Sequence, residues 1–381
     1  MNLYIREVLD HATLKVFIRF GNRLYAGNPC HVPALFPDEY NTLRRDRNPA
    51  FDHCQARYWM AYLGEKPVGR IAAILNHAHI QKWGQRYMRF GWLDFVDDRH
   101  VSAALFQQVE NWASEMHCTA IHGPLGFTDL DREGMLVEGF DELGTLATIY
   151  NFPYYPAHLE ALGYTKDIDW LEYEISVPPQ PDPRIARLAD IVLRRCHLKV
   201  LQARSKSQLL AYAPALFELI NAEYEHLYGV VPLTQKQIES YVHQYFGFVS
   251  PDLVPVILDE NDRMVAFGIS MPSLSRALQK SGGELFPLGF WHLLRALRRS
   301  DRLDLYLVAV RSEYQGMGVN AVLIDRIQRA CNRRGIRFAE TNPELENNHL
   351  VQAQWKHFNT RQHKRRRCFI KRLEADQALR A

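Results

Sequence analysis

Residues 303–320 read Leu303-Asp304-Leu305-Tyr306-Leu307-Val308-Ala309-Val310-Arg311-Ser312-Glu313-Tyr314-Gln315-Gly316-Met317-Gly318-Val319-Asn320. The near-continuous apolar run Leu303–Val310 predicts a buried strand. From Val319 onward, apolar residues recur at Val322, Leu323, Ile327 and Cys331 and the pattern stops at Gly335, which predicts a helix over Val319–Arg334. Two glycines therefore stand between a strand and the amino terminus of a helix. Glycine there lets the backbone approach a ligand closely, and the free N–H groups of the first turn, with the helix dipole, favour a phosphate. A plain strand-to-helix turn, which needs only one glycine, is the other reading of this spacing.

Working outward, helices are predicted at Leu209–Leu227 and Thr234–Phe246, and a hairpin of Val254–Leu258 and Met264–Ser270 turns at Glu260–Arg263. After the glycine segment come a strand at Arg337–Thr341, a helix at Asn348–Phe358 and a strand at Arg367–Leu373. The same order stands upstream. There, strands Arg57–Leu63 and Val68–Leu75 flank a turn at Gly64–Pro67, and a strand near Phe90–Phe95 leads to a helix over Val101–His117 with Val101, Leu105, Val109 and Trp112 on one face. A short strand at Thr119–His122, a helix at Pro156–Leu162 ending at Gly163 and a strand at Trp170–Ile175 complete the set. Between the copies, Val177–Pro183 reads VPPQPDP, which neither a helix nor an inner strand can continue. The chain divides into 1–177 and 184–381, two copies of one architecture with a period far beyond the ~20–50 residues of a solenoid repeat.

Composition narrows the class. With 381 residues, 47% hydrophobic and 23% charged, the chain is long enough for roughly two or three globular domains. Met1–Phe20 is interrupted by Arg6, Glu7, Asp10, Lys15 and Arg19, so neither a signal peptide nor a membrane span is expected. The six cysteines stand singly, which suits a reducing compartment, and the cytoplasm is the expected location. A net charge of +3 is too mild to point to nucleic acid, and none is expected as a partner. His77 and His79 lack a visible third ligand, so no metal is expected.

The segment Tyr314–Asn320 resembles the signature of the GNAT superfamily of acyl-CoA-dependent N-acyltransferases, Gln/Arg-x-x-Gly-x-Gly/Ala, here Gln315-x-x-Gly318-x-Asn320 with Asn320 replacing the small last residue. The resemblance implies an α/β (α+β) fold of two tandem GNAT domains, each a mixed, largely antiparallel sheet flanked by helices. It implies that the backbone of Gln315, Gly316, Met317, Gly318, Val319 and Asn320 holds the CoA pyrophosphate. The edge of Tyr306–Val310, through Leu307, Val308, Ala309 and Val310, would pair with the pantetheine arm. Asn348 fits the family's Asn at the next helix start, but Trp355 stands where a Tyr is expected to protonate the thiolate. Candidate catalytic groups at the strand ends are Glu340, His349 and Tyr306. For Glu340 an orienting carboxylate stays open as the alternative, and for His349 an exposed first-turn residue.

In the first half the equivalent loop, Phe95–His100, has no glycine and carries Asp97 and Asp98, so that half resembles a GNAT domain that has lost its cofactor site. Its acidic loop Gly123–Glu138 suits a cationic amine if it faces the second half, with Asp129, Asp131 and Glu133 as substrate contacts beside Tyr154 and Tyr155. A solvated acidic loop is the alternative. Residues 285–299 offer Phe290, Trp291, Leu294 and Leu297 beside Arg295, Arg298 and Arg299, a helix that either docks on its own domain or lies on the inner membrane face as a peripheral contact. The basic run His363–Arg367 reads as an attractor for anionic headgroups or CoA phosphates, or as a hairpin's solvated face. With the GPLGF and NFPYY segments, this arrangement resembles the bacterial ceramide-synthase-like branch of the superfamily. The expected function is transfer of an acyl group from acetyl-CoA or a longer acyl-CoA to a small-molecule or lipid amine, sphingoid-type included. The alternative is a non-catalytic CoA- or lipid-binding protein on the same fold.

Overall fold

The computed structural model describes residues 2–373. The first half runs β1 (Leu3–Glu7), α1 (His11–Leu24), α2 (Phe36–Thr42), β2 (Cys54–Leu63), β3 (Lys66–Asn76), α3 (His77–Trp83), β4 (Tyr87–Phe95), α4 (Arg99–Glu115), β5 (Ala120–Gly123), β6 (Met135–Glu138), α5 (Tyr155–Ala161) and β7 (Thr165–Ser176). The second runs α6 (Pro183–Arg195), β8 (Lys199–Val200), α7 (Lys206–Leu210), α8 (Ala213–Tyr224), α9 (Gln235–Tyr245), β9 (Val256–Leu258), β10 (Met264–Pro272), α10 (Ser275–Ser281), α11 (Gly289–Arg299), β11 (Arg302–Val310), α12 (Val319–Arg334), β12 (Phe338–Thr341), β13 (Glu344–Leu345), α13 (His349–Gln352) and β14 (Thr360–Arg372). The helix read as Leu209–Leu227 is interrupted at Ala211–Tyr212, and that read as Asn348–Phe358 is one short α-turn followed by a 3₁₀ segment.

The strands form one sheet in the order β1-β2-β3-β4-β5-β14-β7-β12-β11-β10-β9-β8. Its centre explains the rest. The last strand of each half crosses to the other: β14 lies between β5 and β7, while β7 pairs with both β14 and β12. The proline segment is the bridge that lets β7 finish inside this junction and α6 restart beyond it, where Asp182 caps the helix by accepting from Arg184 N–H. The predicted apolar stripes are the buried ones. Val101, Leu105 and Val109 are fully buried under the first half's sheet, and Val319, Val322 and Leu323 under the second's. Each such side chain contributes about 1.5–3 kcal/mol by leaving water.

The junction corrects the reading of the basic tail. The last strand starts at Thr360, not Arg367, so His363–Arg367 lies in the middle of the sheet and not on a solvated hairpin face. Its charges are matched by acids of β7. Arg367 donates to Asp169 (2.8 and 3.1 Å), and Arg361 and Arg302 both donate to Glu174 (3.0 and 2.6 Å). The fully buried Arg366 and Lys364 share Glu172. A basic run reads as solvated in one dimension because a strand's cross-neighbours are invisible there.

Candidate active site

β11 is paired along its whole length with β10, but with β12 only from Arg302 to Leu305. The two parallel strands then separate. The cause lies in β11 itself: Ile269 faces Leu307 and Ser270 faces Leu305, so Tyr306 is an extra residue, a β-bulge that bends the strand and ends the pairing. Tyr306–Val310 therefore offers an open backbone edge inside a splay. At Val308 this edge is met by one side chain: the hydroxyl of Tyr224 donates to Val308 C=O (2.8 Å) and accepts from its N–H (3.3 Å).

The strand leads into the glycine turn. Gly316 (φ 75°) and Gly318 (φ 88°) both occupy the left-handed region, which costs other residues strain. Gly318 also caps α12, leaving the first-turn N–H groups of Val319 and Asn320 without helical partners. A side chain at Gly318 would meet Val192 of α6 at 3.1 Å, so the turn is tightly backed. Gln315 is exposed, and its amide donates to Val310 C=O (2.9 Å) and to Glu223 (3.0 Å), which also holds Ser312. These residues fit a pyrophosphate through backbone donors, with the exposed Arg194 and Arg195 on the adjoining last turn of α6.

Between the two halves lies a cavity of about 320 Å³, a volume typical of small-molecule sites. The second half supplies an apolar wall that includes Leu216, Phe217, Val242, Phe246, Ile269 and Met271, with Tyr306 and Leu307 of the bulge. The first half supplies the carboxylates Asp38, Glu39, Asp129, Asp131 and Glu133. Burial pushes the carboxyls of Asp38, Asp129 and Asp131 up to about 6. Glu133 is held well above its ordinary value, first by burial and then by the charge of Asp129.

These acids differ in what holds them. Asp131 is a loop staple, accepting from Phe127 and Thr128 N–H (2.8 and 3.2 Å), and Glu39 accepts from Trp92. Glu133 has no hydrogen-bond partner among the described residues. Behind Tyr306, Asp304 is buried and raised to about 7, by desolvation and then by its cross-strand neighbour Glu340. The Tyr306 hydroxyl, at 3.4 Å from Asp304, is kept protonated by burial and by that carboxylate.

Of the remaining expected residues, Tyr155 also lines the cavity and Tyr154, Glu340, His349 and Asn348 do not. Glu340 is buried, bonded through Oε1 to Lys364 as its counter-ion, and does not line the cavity. His349 is exposed and does not line the cavity. Asn348 caps its short helix, accepting from Val351 N–H, and Trp355 donates to Glu344 (2.8 Å). Tyr154 and Tyr155 fill the first half's own splay, where β4 leaves β5 after Arg89. Tyr155 is fully buried, its hydroxyl accepting from Phe95 N–H (2.9 Å) and sharing a hydrogen with Tyr25 (2.8 Å), while Tyr154 donates to Phe95 C=O. There Asp98 caps α4 through His100 N–H and Asp97 meets His158 (2.9 Å), so own side chains occupy the place a phosphate would take. Sequence reasoning missed Tyr224, Asp38 and Asp304. The signal for Asp304 is an acid inside an apolar strand.

No family model matches the sequence. Protein YghO of Escherichia coli (strain K12) is 29% identical over 378 residues, 97% of this chain and 95% of that protein. Bacterial ceramide synthase of Caulobacter vibrioides (strain NA1000 / CB15N) is 26% identical over 327 residues, 82% of each. Among solved structures, a tandem GNAT protein from the clavulanic acid biosynthesis pathway matches 98% of this chain and 100% of its own, with a TM-score of 0.58 at 12% identity. The chain has the tandem GNAT fold. A GCN5-related N-acetyltransferase from Anabaena variabilis ATCC 29413 agrees, with a TM-score of 0.51 at 12% identity over 99% of this chain and 74% of its own. Within the tandem GNAT fold the second half keeps the bulged, splayed strand and its glycine turn, met by Tyr224 at Val308, and in the first half's counterpart Tyr154 and Tyr155 hydrogen-bond Phe95.

Proposed function

We propose that the protein is an acyl-CoA-dependent N-acyltransferase that acylates an amine bound between its two halves. The observation that carries this is the meeting, in one cavity, of the open bulged edge of β11 with the unpartnered Glu133. Gly316–Asn320 would hold the pyrophosphate and the Tyr306–Val310 edge the pantetheine. The thioester supplies an acyl carbonyl open to attack. Asp129 and Glu133 draw the cationic amine in, and ionised Glu133 takes its proton, which frees the nitrogen lone pair. The C–N bond forms and the C–S bond breaks; backbone N–H groups at the bulge stabilise the oxyanion, Tyr306 donates its proton to the leaving thiolate, and the phenolate so formed takes back the second proton that the nitrogen sheds as it becomes an amide. The apolar wall of α8, α9 and β10 favours a long acyl chain and a lipid amine, and the 26% likeness to a protein named bacterial ceramide synthase points the same way.

Calorimetry with CoA and palmitoyl-CoA, followed by mass spectrometry of products from a panel of short and long-chain amines, tests this reading. Saturable CoA binding and an N-acyl product are expected. Gly318→Asp, which sets a negative charge at the helix N-terminus, should weaken CoA binding by about tenfold or more. Absence of binding, or unchanged affinity in that variant, removes the proposal.

A second reading, a CoA- or lipid-binding protein without catalysis, is favoured by the Tyr224 hydroxyl sitting on Val308. If that hydroxyl only competes with the ligand, Tyr224→Phe should tighten CoA binding by about two- to tenfold, one hydrogen bond's worth. Binding without product across the whole panel selects this second reading.

A further inference from the structure

The segment read from sequence as docked on its own domain or lying on a membrane divides its residues between both roles. α10 and α11 form a helical hairpin whose inner residues Leu274, Leu278 and Leu293 are buried against Val32, Leu35 and Met271, which line the cavity. The hairpin is clasped to the first half. Gln279 donates to Pro29 and His31 C=O (2.8 and 3.0 Å), and Gly283 C=O accepts from Phe36 N–H (2.9 Å). It therefore stands at the rim of the cavity, touching both of its walls.

The outer face is different. Phe286, Leu288, Phe290 and Trp291 are 85%, 62%, 52% and 69% exposed, and among the described residues they include every Phe and Trp left open to water. The turn that projects them is fixed by Gly289, where any side chain would strike Glu284 C=O. Within 275–299, Arg276, Lys280, Arg295, Arg298 and Arg299 oppose the single acid Glu284, itself turned to Arg19 (3.4 Å). Arg295, Arg298 and Arg299 are exposed and make no ion pair among the described residues. Aromatic and leucine side chains beside unopposed arginines match a bilayer interface carrying anionic headgroups, where apolar burial and charge act together.

We infer that the α10–α11 hairpin is an interfacial anchor that seats the rim of the cavity on an anionic lipid bilayer. The occupant is the membrane surface, and its headgroup charge is part of the recognition.

Co-sedimentation with vesicles, done without any acyl donor, tests this independently of catalysis. The full chain should bind phosphatidylcholine vesicles containing 30 mol% phosphatidylglycerol at least tenfold more tightly than pure phosphatidylcholine ones. Phe286→Glu/Trp291→Glu should lose at least tenfold of that binding. Arg295→Gln/Arg298→Gln/Arg299→Gln should retain only the weak, salt-insensitive part. Both variants should keep the parent's melting temperature, since the altered side chains are in water. Equal sedimentation of parent and Phe286→Glu/Trp291→Glu overturns the inference, as does equal binding to neutral and anionic vesicles. So does a concentration-dependent dimer in sedimentation velocity that this variant dissociates while the parent ignores vesicles.

Discussion

Glu133→Gln is expected to make the protein more stable at pH 8 and nearly inactive. The carboxyl lines the cavity beside Asp129 with no donor of its own, and burial, followed by the charge of Asp129, holds it above the ordinary glutamate value. The sign follows from linkage: a carboxyl raised on folding favours the native state at low pH and surrenders that contribution as pH rises from the ordinary carboxylate range through the folded value. A glutamine carries no charge to bury. The variant should therefore melt above the parent at pH 8 and with it at pH 4, as scanning calorimetry can establish. Loss of the proton acceptor should lower kcat/KM by about 10²- to 10⁴-fold and remove the rising limb of the pH–rate profile. A merely structural acid would give the opposite pairing, lower stability with retained turnover. Activity within threefold of the parent would discard the role given to Glu133.

The second large effect lies at the junction of the sheet. Glu172 is fully buried between Arg366 and Lys364. Burial alone would raise its carboxyl, but Arg366, Lys364 and His363 together outweigh that and hold it below the usual value. Glu172→Gln leaves buried cations without their shared anion, and unfolding should become easier by about 3–5 kcal/mol. Adding Arg366→Met to that variant should recover part of the loss, because the uncompensated charge goes with it. Chemical denaturation measures both. A single variant as stable as the parent would mean that the buried network is no more than neutral. For the parent, a carboxylate held down on folding supports the native state above the ordinary glutamate value and loses that support as pH falls below it.

Much of this was readable from residues alone, for physical reasons. Val319–Arg334 was exact because its stripe and Gly335 are local signals, and the hairpins were bounded by their own turn residues. The glycine turn was found because a positive φ leaves a trace in residue type. What could not be read were features fixed by partners distant in the chain. Lys364 and Arg366 looked solvated until β7 and its acids lay beside them, and Glu340 looked catalytic until Lys364 reached it. Tyr154 and Tyr155 kept a family-like pattern although their hydroxyls had been turned inward to Phe95. The base candidate Glu133 emerged from the acidic loop, yet its distinction from Asp131 rests on which carboxylate the turn's own N–H groups consume.

The exchange of β7 and β14 also bears on how the protein is made. While the ribosome is still short of Thr360, the first half lacks the strand that belongs between β5 and β7, and its sheet stays unfinished with bare edges on both. The final stretch of translation supplies the strand that joins β5 to β7. A product truncated before Thr360 is then not a lone working domain but an open sheet edge, of the kind that chaperones and proteases recognise. The same stitch means that cutting the chain at the proline segment leaves each half with a strand of the other missing from its sheet.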